Sequence, residues 1–266
     1  MHAQVTYSSP LVTAMRLTCD MRRSGPGASY GVRDTWIGFG LSGVFTLHAR
    51  GEDHLIHSGV AATFPRGLEY RMSHPTDDGD TGLALGFPPE VMEEALGTPP
   101  DRISVTGLDL RMRYAVGVLM GAIERGEDQL VIDELAVDLL RVVGARAEPT
   151  RAASTPARRR VDSARRLLAE RPDGPWRLED LARAVGWSPF HLAHQFRACT
   201  GTSVHRYLAD LRSAVALRRL EAGEASIAAV AADLGFAHHS HLTWTLRRRL
   251  GVTPRVIRAR SRGTSH

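Results

Sequence analysis

The sequence predicts an α+β chain, an antiparallel β half followed by an all-helical half. Three observations predict it. Residues 30–87 hold short apolar runs cut by glycine and polar turns, the residues after Pro88 switch to helical periodicity, and a helical unit beginning near Leu178 recurs 49 to 50 residues later. A chain of 266 residues is long enough for two such domains.

The β half is read from WIGFGL, GVFTLHA, HLIHSG, VAATFPRG, LEYRMSHP and TGLALGF, whose length and spacing fit an antiparallel β-sandwich or small barrel. Helical segments follow at PEVMEEAL, around 108–124 and around 129–145. In the last, Leu130, Ile132, Leu135, Leu139, Val142 and Val143 form a wide apolar stripe that packs on its own domain or pairs with a second copy of the chain. The stretch AEPTRAASTPARRR has no apolar period and reads as a linker. The expected division is therefore residues 1–146, a linker at 147–160 and a helical domain at 161–266.

Charge is divided between the halves. Residues 1–150 carry 13 Arg and 20 acidic residues, net −7, whereas 151–266 carry 21 Arg and 9 acidic residues, net +12. A basic half on an acidic one points to a polyanionic partner for the C-terminal half alone. All cations are arginine, so nucleotide-binding, Schiff-base and Ser-x-x-Lys chemistries that need lysine are excluded.

The repeat defines what the basic half is built from. Leu178, Leu181, Ala182, Val185, Gly186 and Trp187 are echoed by Ile227, Val230, Ala231, Leu234, Gly235 and Phe236; Leu192, Phe196 and Gly201 are echoed by Leu242, Leu246 and Gly251. Each copy has the pattern of a helix-turn-helix: a short amphipathic helix, a small residue where two helices touch, a glycine free to take positive φ, then a second helix. Ser188 suits the cap of the first copy's second helix and Pro189 its first turn. At 100° per residue Leu192, Phe196 and Cys199 face inward, which leaves Phe190, Ala193, His194 and Arg197 outward with His191 beside them. In the second copy Ser240, Thr243, Trp244 and Arg247 face outward, flanked by His239 and Arg248. Such faces suit a DNA major groove, where Arg grips guanine, Thr or Phe meets a thymine methyl, and His or Ser makes single hydrogen bonds. The intervening SVHRYLADLRSAVALRRLEAG reads as a helix of about 17 residues, roughly 25 Å long, which sets the two reading helices about one DNA turn, near 34 Å, apart.

Residues 161–260 resemble the DNA-binding domain of AraC/XylS-family transcription regulators. The resemblance rests on LEDLARAVGWSPFHLAHQFRACTGTSVHRYL and SIAAVAADLGFAHHSHLTWTLRRRLGVTPR. It implies a seven-helix domain whose two recognition helices contact double-stranded DNA, with RNA polymerase as a further partner. Three departures stand out: Trp244 replaces the family's usual Arg, Leu242 and Leu246 replace Phe, and Ala237 replaces a capping Ser, which weakens the start of that helix by about 1 kcal/mol. The N-terminal half is similar in element order to the family's cupin-like β-barrel sensor and dimerisation module. That likeness implies a small effector among Trp36, Phe39, Phe45, His48, Phe64 and Tyr70, and a homodimer through the helix at 130–145.

Other motifs are set aside on context. GFGLSG is followed by a strand pattern, not the helix a dinucleotide needs, and GASYG does not follow an apolar strand. His48, His54, His57 and His74 lack the H-x-H and Glu order of cupin metal sites, so neither a metal nor another cofactor is expected, and a cupin-type metalloenzyme with a helical accessory domain is the alternative function. His238, His239 and His241 stand where phosphates are met. Cys199 reads as a small core residue. Two cysteines in no CxxC pair, no secretory N-terminal pattern and no long apolar run fit a cytoplasmic, membrane-free protein.

Overall fold

The computed structural model describes residues 2–97, 100–146, 156–223 and 226–262. The chain separates into two compact units, Met1–Leu108 with Val118–Ala153 and Asp109–Gly117 with Ser154–His266. Of the linker expected at 147–160, residues 147–155 lie outside the described residues, and 156–160 form the start of a helix.

The strands, in chain order, are β1 (His2–Ser8), β2 (Thr13–Cys19), β3 (Tyr30–Gly31), β4 (Thr35–Ser42), β5 (Val44–Ala49), β6 (Glu52–His57), β7 (Val60–Phe64), β8 (Glu69–Ser73), β9 (Asp80–Phe87) and β10 (Ser104–Gly107). They form two antiparallel sheets, one in the order β1-β2-β9-β4-β7-β10 and one in the order β3-β8-β5-β6. Alternation along each strand decides the faces. In β9, Gly82, Ala84 and Gly86 share one side, and the register places Trp36 of β4 opposite both Gly86 and Phe64. The indole fits only because position 86 has no side chain: a Cβ there would stand 2.8 Å from Trp36 ring atoms. Phe45, Phe64 and Tyr70 pack on a core drawn from both sheets, Leu47, Ala49 and Ile56 from one and Val60 and Ala62 from the other. The rings of Phe64 and Tyr70 lie 5.5 Å apart, and Tyr30 stacks on Tyr70 at 5.6 Å.

Two residues expected with this aromatic group stand elsewhere. Phe39 is three residues from Trp36 on β4, so strand alternation turns it to the opposite face, where it is buried. His48 alternates with Leu47 and Ala49 of the core; its imidazole instead meets Asp53 Oδ1 at 2.6 Å through Nδ1 and Ser73 Oγ at 2.7 Å through Nε2.

The helices of the N-terminal half are α1 (Pro89–Leu96), α2 (Leu110–Glu124) and α3 (Gln129–Arg146). On α3 the buried residues are Ile132, Ala136, Leu139, Leu140 and Val143, and Asp133 accepts hydrogen bonds from Tyr7 Oη at 2.8 Å and Ser9 Oγ at 2.7 Å. The apolar stripe is wider than the covered face. Leu130 is 66% and Val142 41% exposed, both having rotated away from the Ile132–Val143 line at 100° per residue.

The basic half contains α4 (Pro156–Glu170), α5 (Leu178–Ala184), α6 (Pro189–Thr200), α7 (Val204–Glu221), α8 (Ile227–Asp233), α9 (His239–Leu250) and α10 (Pro254–Arg262), seven helices among the described residues. They build two small cores. Val161, Ala164, Leu168, Leu181, Ala182, Leu192 and Phe196 form the first, and Val230, Ala231, Leu234, Leu242, Leu246 and Ile257 the second. Helix α7 serves both, giving Leu208 and Leu211 to one and Ala216, Leu217 and Leu220 to the other. Its 18 residues make a rod, about 27 Å long at 1.5 Å per residue. Among the described residues no helix is long and apolar enough to cross a membrane.

Candidate nucleic-acid interface

The two helical hairpins share one turn, bond for bond. After α5, Trp187 N–H donates to Ala182 O at 2.9 Å and Gly186 N–H to Arg183 O at 3.1 Å. After α8, Phe236 N–H donates to Ala231 O at 2.9 Å and Gly235 N–H to Ala232 O at 3.1 Å. Gly186 and Gly235 take φ of 70° and 68°, the left-handed conformation that this paired-bond helix ending requires. The aromatic after each glycine then meets a histidine on the next helix edge-on, Trp187 with His191 at 4.8 Å and Phe236 with His241 at 5.6 Å. Glycines 201 and 251 end α6 and α9 with φ of 70° and 74°.

The starts of α6 and α9 differ. Ser188 Oγ accepts from His191 N–H at 3.2 Å and caps α6. The capping position of α9 is His238, not Ala237, because the one-residue insertion between the copies lies ahead of the cap; His238 makes no side-chain capping bond. The second helix therefore starts without a side-chain acceptor.

Their outward faces carry the residues singled out from sequence. On α6, Leu192 and Phe196 are fully buried, while His191, His194 and Arg197 are exposed, Ala193 is half-buried and Phe190 is 84% exposed. On α9, Leu242, Thr245 and Leu246 are buried; His239, Ser240, Arg247 and Arg248 are exposed, Thr243 is half-buried and Trp244 is 56% exposed. Leaving rings of this size in water costs hydrophobic free energy, and Arg248 covers part of that cost by lying 5.0 Å over the Trp244 ring. Thr243 Oγ1 donates to His239 O at 2.9 Å, which turns its methyl group away from the backbone. Among the described residues the side chains of His194, Arg197 and Arg247 make no hydrogen bond or ion pair within the protein.

Neighbouring arginines divide into structural and outward ones. Arg212 on α7 donates to Pro172 O and Gly174 O, both at 2.9 Å, and its guanidinium also lies against Gly235. Burial lowers its pKa, and burial followed by the nearby Arg206 lowers that of Arg249, which pairs with Asp210; both stay charged near neutrality. Arg160, not among the residues expected from sequence, sits 5.6 Å over the Trp187 ring and donates to Gly186 O at 3.2 Å. The sequence signal for it is the RRR run entering α4, which by composition alone belongs to the linker.

Residues 181–260 match a protein family described as a helix-turn-helix domain. A putative AraC-like transcription regulator of Streptomyces antibioticus is 34% identical over 94 residues, 35% of this chain and 31% of its own length. The HTH-type transcriptional activator RhaR of Klebsiella pneumoniae is 30% identical over 137 residues, 52% of this chain and 48% of its own. The C-terminal helical half carries a helix-turn-helix domain of the AraC type. Its AraC-type domain carries this likeness, and the matches span between about a third and a half of these two relatives. Over most of its length the chain also aligns with the structure of ToxT from Vibrio cholerae, at 12% identity and a TM-score of 0.38, covering 94% of this chain and 98% of that one.

Proposed function

We propose that the chain is a sequence-specific DNA-binding transcription regulator that places α6 and α9 in successive major grooves of one duplex. The observation that carries this reading is the pair of equivalent, exposed faces on a net +12 half, each presenting an unengaged arginine, Arg197 and Arg247, beside an exposed ring. Arg197 and Arg247 take guanine O6 and N7; Phe190, Thr243 and Trp244 meet thymine methyls or sugars; His194 and Ser240 make single bonds to base edges, with Ala193 leaving room for close approach. His191, His239 and Arg248 flank these faces and meet phosphates. Gel-shift titration over a salt series tests it: binding that falls by several powers of the salt concentration is expected, and salt-independent binding overturns it.

In the same reading the N-terminal unit senses and pairs. A small effector contacts Trp36, Phe45, Phe64 and Tyr70, which share one side of the sheets. The exposed edge of α3, with Leu130, Val131 and Val142, joins two copies, and RNA polymerase is the partner on the promoter. The protein works in the cytoplasm, without enzymatic activity of its own.

A further inference from the structure

Cys19 and Asp80 face each other across β2 and β9, a direct cross-strand pair, so their side chains leave the sheet on the same side. His74 reaches them from the other sheet, just beyond β8. Its backbone is held by a two-bond bridge to Ser24, with N–O distances of 2.9 and 3.1 Å. Two parts of the chain distant in sequence, β2 and the stretch from His74 to Asp80, thus bring one sulfur, one imidazole nitrogen and one carboxylate oxygen within 4.8 Å of one another. The cluster is buried: Cys19 is 3% exposed and His74 and Asp80 side chains 2% and 12%.

The same atom, His74 Nε2, faces both partners, Cys19 Sγ at 3.4 Å and Asp80 Oδ2 at 3.0 Å. That excludes a nucleophilic relay, which needs the thiol on one ring nitrogen and the carboxylate on the other. One nitrogen carries one hydrogen or one lone pair and cannot make a full hydrogen bond to both neighbours at once. Asp80 Oδ2 accordingly has no hydrogen-bond partner among the described residues in spite of the short approach. A buried carboxylate oxygen is unfavourable unless a cation faces it, either the His74 imidazolium at 3.0 Å or a bound ion. Three donor atoms of these kinds gathered within 4.8 Å of one another form a ligand set.

We propose that Cys19, His74 and Asp80 bind a divalent transition-metal ion of the zinc class inside the β half. Thiolate, neutral imidazole and carboxylate are the donors such an ion takes, and their two negative charges balance it. The spacing fits: tetrahedral zinc, with bonds of about 2.3 Å to sulfur and about 2.0 Å to nitrogen and oxygen, sets S and N about 3.6 Å and N and O about 3.3 Å apart. Ser24 Oγ lies 3.5 Å from His74 Nδ1, placed to hold the proton on that nitrogen and leave the Nε2 lone pair for the ion. Three protein ligands leave a fourth position for water or a small ligand.

Cobalt(II) titration of the untagged, chelator-stripped full chain tests this. One equivalent should bind, with a thiolate-to-cobalt charge-transfer band and the visible bands of a tetrahedral ion. Cys19→Ser should abolish the charge-transfer band and Asp80→Asn should weaken binding at least tenfold, while Cys199→Ser leaves both unchanged. Zinc should also raise the thermal midpoint of the unmutated chain, a readout independent of whether the variants fold. Absence of the charge-transfer band in the unmutated chain, or its persistence in Cys19→Ser, overturns the proposal.

Discussion

Ser188 and His238 occupy the same position at the entrance of α6 and α9, yet only Ser188 closes its helix with a side-chain bond. The two copies agree in turn and core and differ in how firmly the second helix of each begins. Ser188→Ala should destabilise the C-terminal half by about 1 kcal/mol, and His238→Ala by much less, because it removes no cap. Chemical denaturation followed by helical signal checks both; an equal loss would mean that His238 stabilises α9 by another contact.

The two turn glycines test the shared geometry. A Cβ at Gly186 would meet nothing within 4 Å, so Gly186→Ala carries only the left-handed backbone cost, about 1 kcal/mol. At Gly235 the added methyl would also meet the Arg212 guanidinium at 3.3 Å. Gly235→Ala should therefore cost more than Gly186→Ala, measured as the difference in denaturation midpoints.

Gly86→Ala should destabilise the β half by about 1 to 3 kcal/mol, since the methyl competes with the Trp36 indole for one space. Restoration by a second change, Trp36→Leu, would show that the ring is the obstacle.

Leu130 and Val142 are exposed on α3. If this edge pairs two copies as proposed, Leu130→Arg with Val142→Arg should leave the melting temperature nearly unchanged and convert the dimer to a monomer in sedimentation velocity. An unaltered oligomeric state would place the pairing surface elsewhere.

Arg197→Ala and Arg247→Ala should each weaken specific binding by about 1 to 3 kcal/mol and relax preference at a single base pair. Affinities over a set of single-base site variants check this; a uniform loss over all sites would assign the arginine to phosphate.

The helical half was legible because its signals are local. Ala182 and Ala231, Gly186 and Gly235, and the buried pairs Leu192/Phe196 and Leu242/Leu246 stand at spacings set by helix geometry alone. The cap of α9 was read one residue early because the insertion relative to the first copy could not be placed from spacing. In the β half, the aromatic residues were visible but their faces were not. Phe39 stands three residues from Trp36 and His48 three from Phe45, an odd spacing that puts each on the opposite face once the strand boundaries are known. The Cys19, His74 and Asp80 cluster has no local sequence signal: His74 lies 55 positions beyond Cys19, and only the pairing of β2 with β9 and the Ser24 bridge bring them together.

Selection of binding sites from random duplexes by the full chain is the most direct test of two-groove reading. It should return two short conserved clusters about 10 base pairs apart, the first blurred by Arg197→Ala and the second by Arg247→Ala. A single cluster, or two clusters that respond together to either substitution, would contradict it.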